Sequence, residues 1–236
     1  MDRIQIVRNI LEQTKGKTYL EIGAAQGGSF YRINAETKFA IDPHFEIKPG
    51  KKLKKWIFSL LKLKEERLFE MTSDAFFLTK SGLLKKKKID VALIDGLHTY
   101  EQSLKDVLNC LNYLSEKGVM VIHDCNPQSE VAAFPASSFE DVKNMRLDGW
   151  TGEWSGDVWK TIVHLRSIRK DLNVFVLDCD FGVAVVTKGN PENSLNYSTD
   201  EIKAMSYRNL EAERAMMLNL KPESYMREFM QNMRRR

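Results

Sequence analysis

Apolar residues along the chain follow two spacings. Ile4, Val7, Ile10 and Leu11 share one side of a 3.6-residue repeat, which predicts a helix over residues 3–14 that "KGK" closes. Short apolar runs then recur with turn residues between them. "TYLEIG", "KFAIDPH", "RLFEMTS", "IDVALID" and "GVMVIHD" read as five buried strands. Between the last two, Leu104, Val107, Leu108, Leu111 and Leu114 form one helical stripe. Thr99 and Gln102 are spaced as its capping box, and Gly118 is its expected stop. Strands alternating with helices predict a parallel sheet joined by right-handed crossovers. "NVFVLDCD" and "GVAVVTK" lie too close for an intervening helix, so they predict an antiparallel hairpin at one edge and seven strands in all. Residues 1–190 are then one α/β domain. Residues 191–236 return to helix, with Ser198 and Glu201 as a second capping box and Pro222 opening a last short helix. This extension is expected to pack on the body or on a second copy of the chain, which would make a homo-oligomer.

Composition narrows the setting. With 236 residues the chain can bury a core without disulfides, and its three cysteines form no pattern; Cys110 falls in the apolar helix as a small hydrophobe. No apolar run approaches the roughly 20 residues that span a bilayer, and the charged N-terminus lacks a signal-peptide core. A cytoplasmic protein is expected. The net charge of +4 gathers at 48–64, 85–88 and 234–236. Residues 51–67, "KKLKKWIFSLLKLKEER", set Trp56, Ile57, Leu60 and Leu61 opposite lysines. The expected role is a crossover helix with a solvated lysine face; a lid or a peripheral membrane contact is the alternative.

Candidate chemistry begins after the first strand. In "LEIGAAQGGSF", Gly23, Gly27 and Gly28 let backbone approach a ligand closely. Gly23, Ala25 and Gly28 nearly meet the dinucleotide fingerprint, and the turn leads towards a helix. Asp42 closes the second strand, where a carboxylate can hold ribose hydroxyls, and Ser73 with Asp74 follows the third. These features alone suit NAD as well as other nucleoside cofactors.

The order "EIGAAQGGSF", "AIDPH", "MTSDAFF" and "VALIDGLHTYEQSLKDVLNCLNYLSEKGVMVIHDCNP" resembles the class I S-adenosylmethionine-dependent methyltransferases. Within them it resembles the methyltransferase-24 branch and, more distantly, metal-dependent sugar and catechol O-methyltransferases. The resemblance covers residues 17–187 and implies a Rossmann-like fold with helices on both faces of the sheet. It implies that Glu21, Gly23, Ala25, Gly27 and Ser29 surround the methionine and ribose parts of the cofactor. Asp42 would hold ribose, Ser73 and Asp74 would lie near adenine, and Asp95 would border the cofactor. Ala25 replaces the family's usual glycine.

Asp95 and Asp124 both end predicted parallel strands, on the edge where open α/β sheets bind ligands. Two such carboxylates repel unless one is protonated or a cation lies between them. Mg²⁺ would accept their oxygens and that of Asn126; His98 and His123 favour Mn²⁺ or its neighbours. The related metal-dependent enzymes imply the same positions for Asp95 and Asp124, and a base where His98 stands. Imidazole titrates near neutrality and can take a hydroxyl proton, although His98 can also ligate metal or simply hold a turn. "WTGEWSGDVWK" (150–160) is rich in Trp and charge, and Asp157 and Lys160 are further acid–base candidates. The expected activity is methyl transfer from S-adenosylmethionine to a hydroxyl, of a glycan or small-molecule acceptor, with divalent metal assistance left open. An NAD-dependent oxidoreductase and a non-catalytic cofactor-binding module are the competing classes. Nucleic acid is not an expected partner, since strand four ends "IDGLHTY" without the Asn/Asp-Pro-Pro-aromatic signature of amino-group methylation.

Overall fold

The computed structural model describes residues 1–46 and 65–235. Among the described residues eight strands form one sheet in the order β3-β2-β1-β4-β5-β7-β6-β8. They are β1 Thr18–Ile22, β2 Thr37–Asp42, β3 Glu65–Glu70, β4 Ile89–Ile94, β5 Leu114–Ile122, β6 Leu172–Leu177, β7 Val183–Lys188 and β8 Leu220–Lys221. The first five run parallel, β7 runs antiparallel to both β5 and β6, and β8 pairs parallel with β6. The seven expected strands are present. The eighth is a two-residue addition from the C-terminal extension, too short to leave an apolar signature.

Alternation along the strands builds two cores. Ala92 and Ile94, Met120 and Ile122, Val174 and Val176, and Ala184 and Val186 face one side. Val91 and Leu93, Val119 and Val121, Phe175 and Leu177, and Val183 and Val185 face the other. The first side is covered by α2 (Ser73–Thr79), α3 (Gly82–Lys86), α4 (Tyr100–Leu111), α6 (Trp159–Ile168), α7 (Thr199–Ala204) and α8 (Tyr207–Leu218). The second is covered by α1 (Arg3–Thr14) and α9 (Tyr225–Arg235); α5 (Phe139–Asn144) lies between β5 and α6 in the chain. Among the described residues no helix is long and apolar enough to cross a membrane.

Three local expectations change. Gly118 does not stop α4: that helix ends at Leu111, and both Leu114 and Gly118 belong to β5. An added Cβ at Gly118 would lie 2.8 Å from the Ile89 carbonyl oxygen, so strand contact demands the glycine. The capping box of α4 is half formed. Thr99 accepts from the Gln102 N–H, but the Gln102 side chain turns to Ser73 and Asp106. The Ser198–Glu201 box is complete. Finally, the glycine turn leads to a single 3₁₀ turn, Phe30–Arg32, rather than to a regular helix. Its carbonyls at Phe30 and Ile33 accept from the buried Lys38 ammonium at 2.9 and 3.1 Å, which ends the turn against β2. Of the basic segment 51–67, residues 51–64 lie outside the described residues, so the crossover-helix expectation does too; Glu65, Glu66 and Arg67 open β3.

The register of β1 and β4 brings their ends together. The Asp95 N–H donates to the Ile22 carbonyl, and Gly23 follows at φ 85°. A Cβ there would lie 1.8 Å from the Asp95 carbonyl oxygen. Gly23→Ala is therefore expected to destabilise the fold by at least about 2 kcal/mol. Gly28→Ala, where an added Cβ meets nothing within 4 Å, should change stability by less than about 1 kcal/mol. Urea denaturation of the pair checks this, and equal losses would show that the Gly23 contact relaxes freely.

Candidate active site

The carboxyl edge of the sheet carries a closely packed set of charges. Asp95 follows β4, and His123 and Asp124 follow β5. Because β4 and β5 pair in parallel, these side chains emerge side by side. His123 lies between the carboxylates, with Nδ1 2.7 Å from Asp124 Oδ2 and 3.1 Å from Asp95 Oδ1. Its Nε2 is 3.5 Å from Asp180 Oδ2, at the tip of the β6–β7 hairpin. Burial opposes charge on this imidazole, but its hydrogen bonds to the carboxylates of Asp124, Asp180 and Asp95 outweigh it and push its pKa up to about 11. His123 is therefore a cation at neutral pH.

Arg3, the first residue of α1, adds a second cation. Its Nε is 3.0 Å from Asp95 Oδ2, and its Nη1 is 3.2 Å from Asp180 Oδ2. Asp180 also accepts the Arg3 backbone N–H at 2.8 Å, so one carboxylate both caps the helix start and neutralises its arginine. Burial alone would raise the pKa of Asp95 and of Asp180. Hydrogen bonds from His123, with the nearby Arg3 charge, hold both well below the usual carboxylate range.

His98 completes the group from the turn before α4. Its Nδ1 lies 2.6 Å from the Trp154 carbonyl oxygen, which requires a proton on Nδ1. Its Nε2 faces Asp124 Oδ2 at 3.3 Å and Asp95 Oδ1 at 3.7 Å. Burial lowers its affinity for a proton, yet the two carboxylates leave its pKa above the ordinary value. Asp124 is held in the left-handed region at φ 60°, and Ser155 donates to its Oδ1 at 2.8 Å. A cavity of about 10 Å³ separates this cluster from Ser103 and Asp106; burial raises the Asp106 carboxyl to about 6.

The other predicted residues divide between the glycine loop and the scaffold. Asp42 holds the loop, accepting from Ala25 N–H at 2.7 Å and from His44 N–H at 2.8 Å. Each carboxylate oxygen has a second lone-pair direction left for a hydroxyl. Glu21 lies beneath the loop, fully buried, and accepts from Tyr19 and Ser29. Burial raises its pKa to about 7 despite those bonds. Gly27 sits at φ 69°, and Ala25 adopts a positive φ of 38° of its own. Ser73 is tied to Gln102, and Asp74 to Gln102 and Lys105. Asp157 and Lys160 do not join the cluster. Asp157 accepts the Tyr100 N–H at 2.6 Å, and Lys160 donates to the Lys203 carbonyl at 3.1 Å. Asn126 also turns away: its amide donates to Asp178 and its oxygen accepts from Arg214.

Residues 20–125 match the family model described as a methyltransferase domain. The match over these residues, together with the fold, supports a class I S-adenosylmethionine-dependent methyltransferase domain. No curated protein matches the chain. Among solved structures, a Staphylococcus aureus protein provisionally assigned as a caffeoyl-CoA O-methyltransferase is 17% identical over 80% of this chain and 85% of its own, with a TM-score of 0.53. The SAH-bound methyltransferase of Podospora anserina is 16% identical over 80% of each chain, with a TM-score of 0.52. A provisionally assigned O-methyltransferase of Klebsiella pneumoniae is 11% identical over 79% of this chain and 80% of its own, at 0.54. At such identities these likenesses establish the fold.

The cofactor suits the glycine loop of this methyltransferase domain. Dinucleotide sites place a pyrophosphate on the N-terminus of the helix that follows the loop. Here a 3₁₀ turn stands in that place, and S-adenosylmethionine has no phosphate to anchor. An added Cβ at Gly28 would meet nothing within 4 Å, so that side of the loop is open. A divalent metal has a narrower donor set than expected. Asp95, His98 and Asp124 each offer a ligand atom, all within 4.8 Å of one another. His123 is not in that group; its Nδ1 bonds Asp124 and Asp95.

Arg3, Asp180 and Ser155 were not among the residues expected from sequence. One signal was available for Arg3, because a cation in the first turn of a helix opposes the helix dipole and calls for an acidic partner. For the cluster as a whole the pH dependence has a definite sign. The His123 pKa is raised from 6.5 to about 11, so its stabilisation is complete below pH 6.5 and is lost as pH rises towards 11. The stability gap between the wild type and His123→Gln should narrow across that window. Urea midpoints at pH 6, 8 and 10 read it, and a constant gap would mean that His123 is not the cation between these carboxylates.

Proposed function

We propose that the protein transfers the methyl group of S-adenosylmethionine to a hydroxyl oxygen of a carbohydrate or glycosylated small molecule, with His98 as the base. The observation that carries this reading is the orientation of His98. Trp154 fixes its tautomer, and its Nε2 faces Asp95 and Asp124. When bound, the cofactor supplies an activated sulfonium methyl. His98 would take the hydroxyl proton at Nε2 as the acceptor oxygen bonds the methyl carbon, the carbon–sulfur bonding electrons remaining with the thioether product. Asp95 and Asp124 then hold the imidazolium, as Asp124 is itself held by Ser155. Structures similar to this chain include proteins assigned as O-methyltransferases, which favours oxygen as the acceptor atom. The carbohydrate class rests on the resemblance to sugar O-methyltransferases and on the Trp-rich loop that supplies Trp154 and Ser155.

Because the two carboxylates raise the His98 pKa, the free base is the minor form at pH 6.5 and gains as pH rises. The rate with a glycoside acceptor should therefore climb on the alkaline side of pH 6.5. His98→Ala should cut kcat by at least about a hundredfold and flatten that limb, with S-adenosylhomocysteine affinity unchanged. Wild-type rates in the variant would return His98 to a structural role.

A second reading follows from the three donors that converge within 4.8 Å. A metal-ligating histidine commonly donates its other N–H to a carbonyl, as His98 does to Trp154. Two carboxylates and an imidazole suit Mn²⁺ better than Mg²⁺. Under this reading His98 is a ligand, and Mn²⁺ titration of the cofactor-loaded protein should show one site by electron paramagnetic resonance, lost in Asp95→Asn. The same Mn²⁺ spectrum in the variant would exclude it.

We also place Glu21 under the cofactor's amino-acid end. With a pKa of about 7 in the free protein, this buried carboxyl is largely protonated below pH 7. A cationic ligand above it favours the ionised form and releases a proton. S-adenosylmethionine, with its additional sulfonium charge, should release more than S-adenosylhomocysteine at pH 6.5. Calorimetry in two buffers of different ionisation enthalpy measures this. Release that persists unchanged in Glu21→Gln would assign the proton elsewhere.

A further inference from the structure

The turn between β6 and β7 has an unusual residue at its tip. Gly182 N–H donates to the Cys179 carbonyl at 2.8 Å, which closes a turn centred on Asp180 and Phe181. Both central residues have positive φ, 46° and 59°, the pattern of a type I′ turn. That turn favours Asn or Asp followed by Gly, because a side chain at the second position crowds its own backbone. Asp180 meets the first requirement. Phe181 violates the second, and a bulky residue at positive φ is a genuine outlier.

Packing does not account for the phenylalanine. Its residue is 37% exposed, so burial offsets little of the backbone cost. The turn around it is instead firmly fixed. Phe181 O accepts from Asn126 N–H at 2.8 Å, and Gly182 O accepts from Cys125 N–H at 2.9 Å. Asp180 is held by Arg3 and His123. These bonds tie the tip to the segment that carries Asp124 and keep the strained conformation in place. The ring lies perpendicular to His123, with centroids 6.2 Å apart and an interplanar angle of 85°. The partly exposed ring thus stands beside the charged cluster. Leu97, 43% exposed, precedes His98 in the same cluster.

We propose that Phe181 is the acceptor platform: its ring packs against the C–H face of the acceptor's sugar ring and so helps to set specificity. This rests on the hydroxyl-methylating reading above. Strain retained at an exposed aromatic residue next to the reacting groups is the expected mark of a position kept for ligand contact rather than for folding.

The test exploits the opposite signs of the two effects. Phe181→Gly removes both ring and strain, Phe181→Asn keeps a side chain that tolerates this φ, and Phe181→Tyr keeps the ring. The Gly and Asn variants should melt at or above the wild-type temperature. Their acceptor KM should rise roughly tenfold, the scale of one aromatic contact, while S-adenosylhomocysteine affinity stays unchanged. The Tyr variant should keep the wild-type KM. Binding is read separately from turnover by saturation-transfer NMR, with octyl β-glucoside below its micellar concentration as the probe and the S-adenosylhomocysteine-loaded protein as receptor. Sugar C–H protons should saturate in the wild type and not in Phe181→Gly. Saturation that depends on Phe181 without any methyl transfer would keep the platform and remove the proposed reaction. Methyl transfer with an unaltered KM in Phe181→Gly would keep the reaction and overturn the platform. A lower melting temperature in both the Gly and Asn variants would likewise assign the ring to folding and overturn it, as would absence of probe saturation in the wild type.

Discussion

The parallel pairing of β4 with β5 sets a constraint that organises the whole carboxyl edge. It brings Asp95 and Asp124 out of the ends of neighbouring strands, one residue apart in register, where the interior of the protein screens their repulsion poorly. Two histidines and an arginine answer it, and each comes from a different part of the chain. His123 is local to the β5 end, His98 comes from the turn before α4, and Arg3 comes from the first turn of α1. These groups then need fixing in turn. Asp180 holds Arg3, and the Trp154 carbonyl holds His98. A repulsion created by strand order thus fastens the N-terminal helix, the β6–β7 hairpin and the Trp-rich loop around one point.

That arrangement explains what could be read in the sequence. Strand ends are local features: an apolar run stopping at Asp42, Asp95 or Asp124 announces both the strand and the acidic position. The alternation that builds the two cores is equally local. The partners of those acids are not. Arg3 meets Asp180 across 177 residues, and no spacing rule links them. Asn126 misled for the same reason. Beside Asp124 it reads as an additional oxygen ligand, but the reversal of the chain at Asp124 sends its side chain to Asp178 and Arg214. Gly118 misled because a glycine after an apolar helix and a glycine demanded by strand contact look alike until Ile89 is known to lie against it.

The glycine loop shows how a small local difference changes the chemistry of a shared architecture. In this sheet the first crossover forms a single 3₁₀ turn instead of a regular helix, and Lys38 from β2 bonds the carbonyls of Phe30 and Ile33. The loop therefore offers no helix dipole to an anion. It offers a carboxylate at Asp42, a protonatable carboxyl at Glu21 and close-packed backbone at Gly23. Acids without a helix N-terminus favour a cofactor that carries positive charge and hydroxyls over one that carries phosphates. The distinction between the methyltransferase reading and the dinucleotide reading lies in those few residues more than in the glycine spacing they share.

The C-terminal segment bears on the site through the same kind of interaction. Lys160, Arg166 and Arg214 each donate to backbone carbonyls, those of Lys203, of Met216 and Met217, and of Pro127 respectively. Lys160 and Arg166 reach from α6 to carbonyls near the ends of α7 and α8, where the helix dipole favours a cation. The Arg214 bond runs the other way, from α8 to the turn after β5, where Arg214 also holds Asn126. Loss of that last contact would free the chain immediately after Asp124, whose left-handed backbone depends on being held from both sides. Lys160 is thus better understood as a brace than as a base. Its ammonium is committed to a helix end, which leaves His98 with the imidazole nitrogen directed at the two carboxylates.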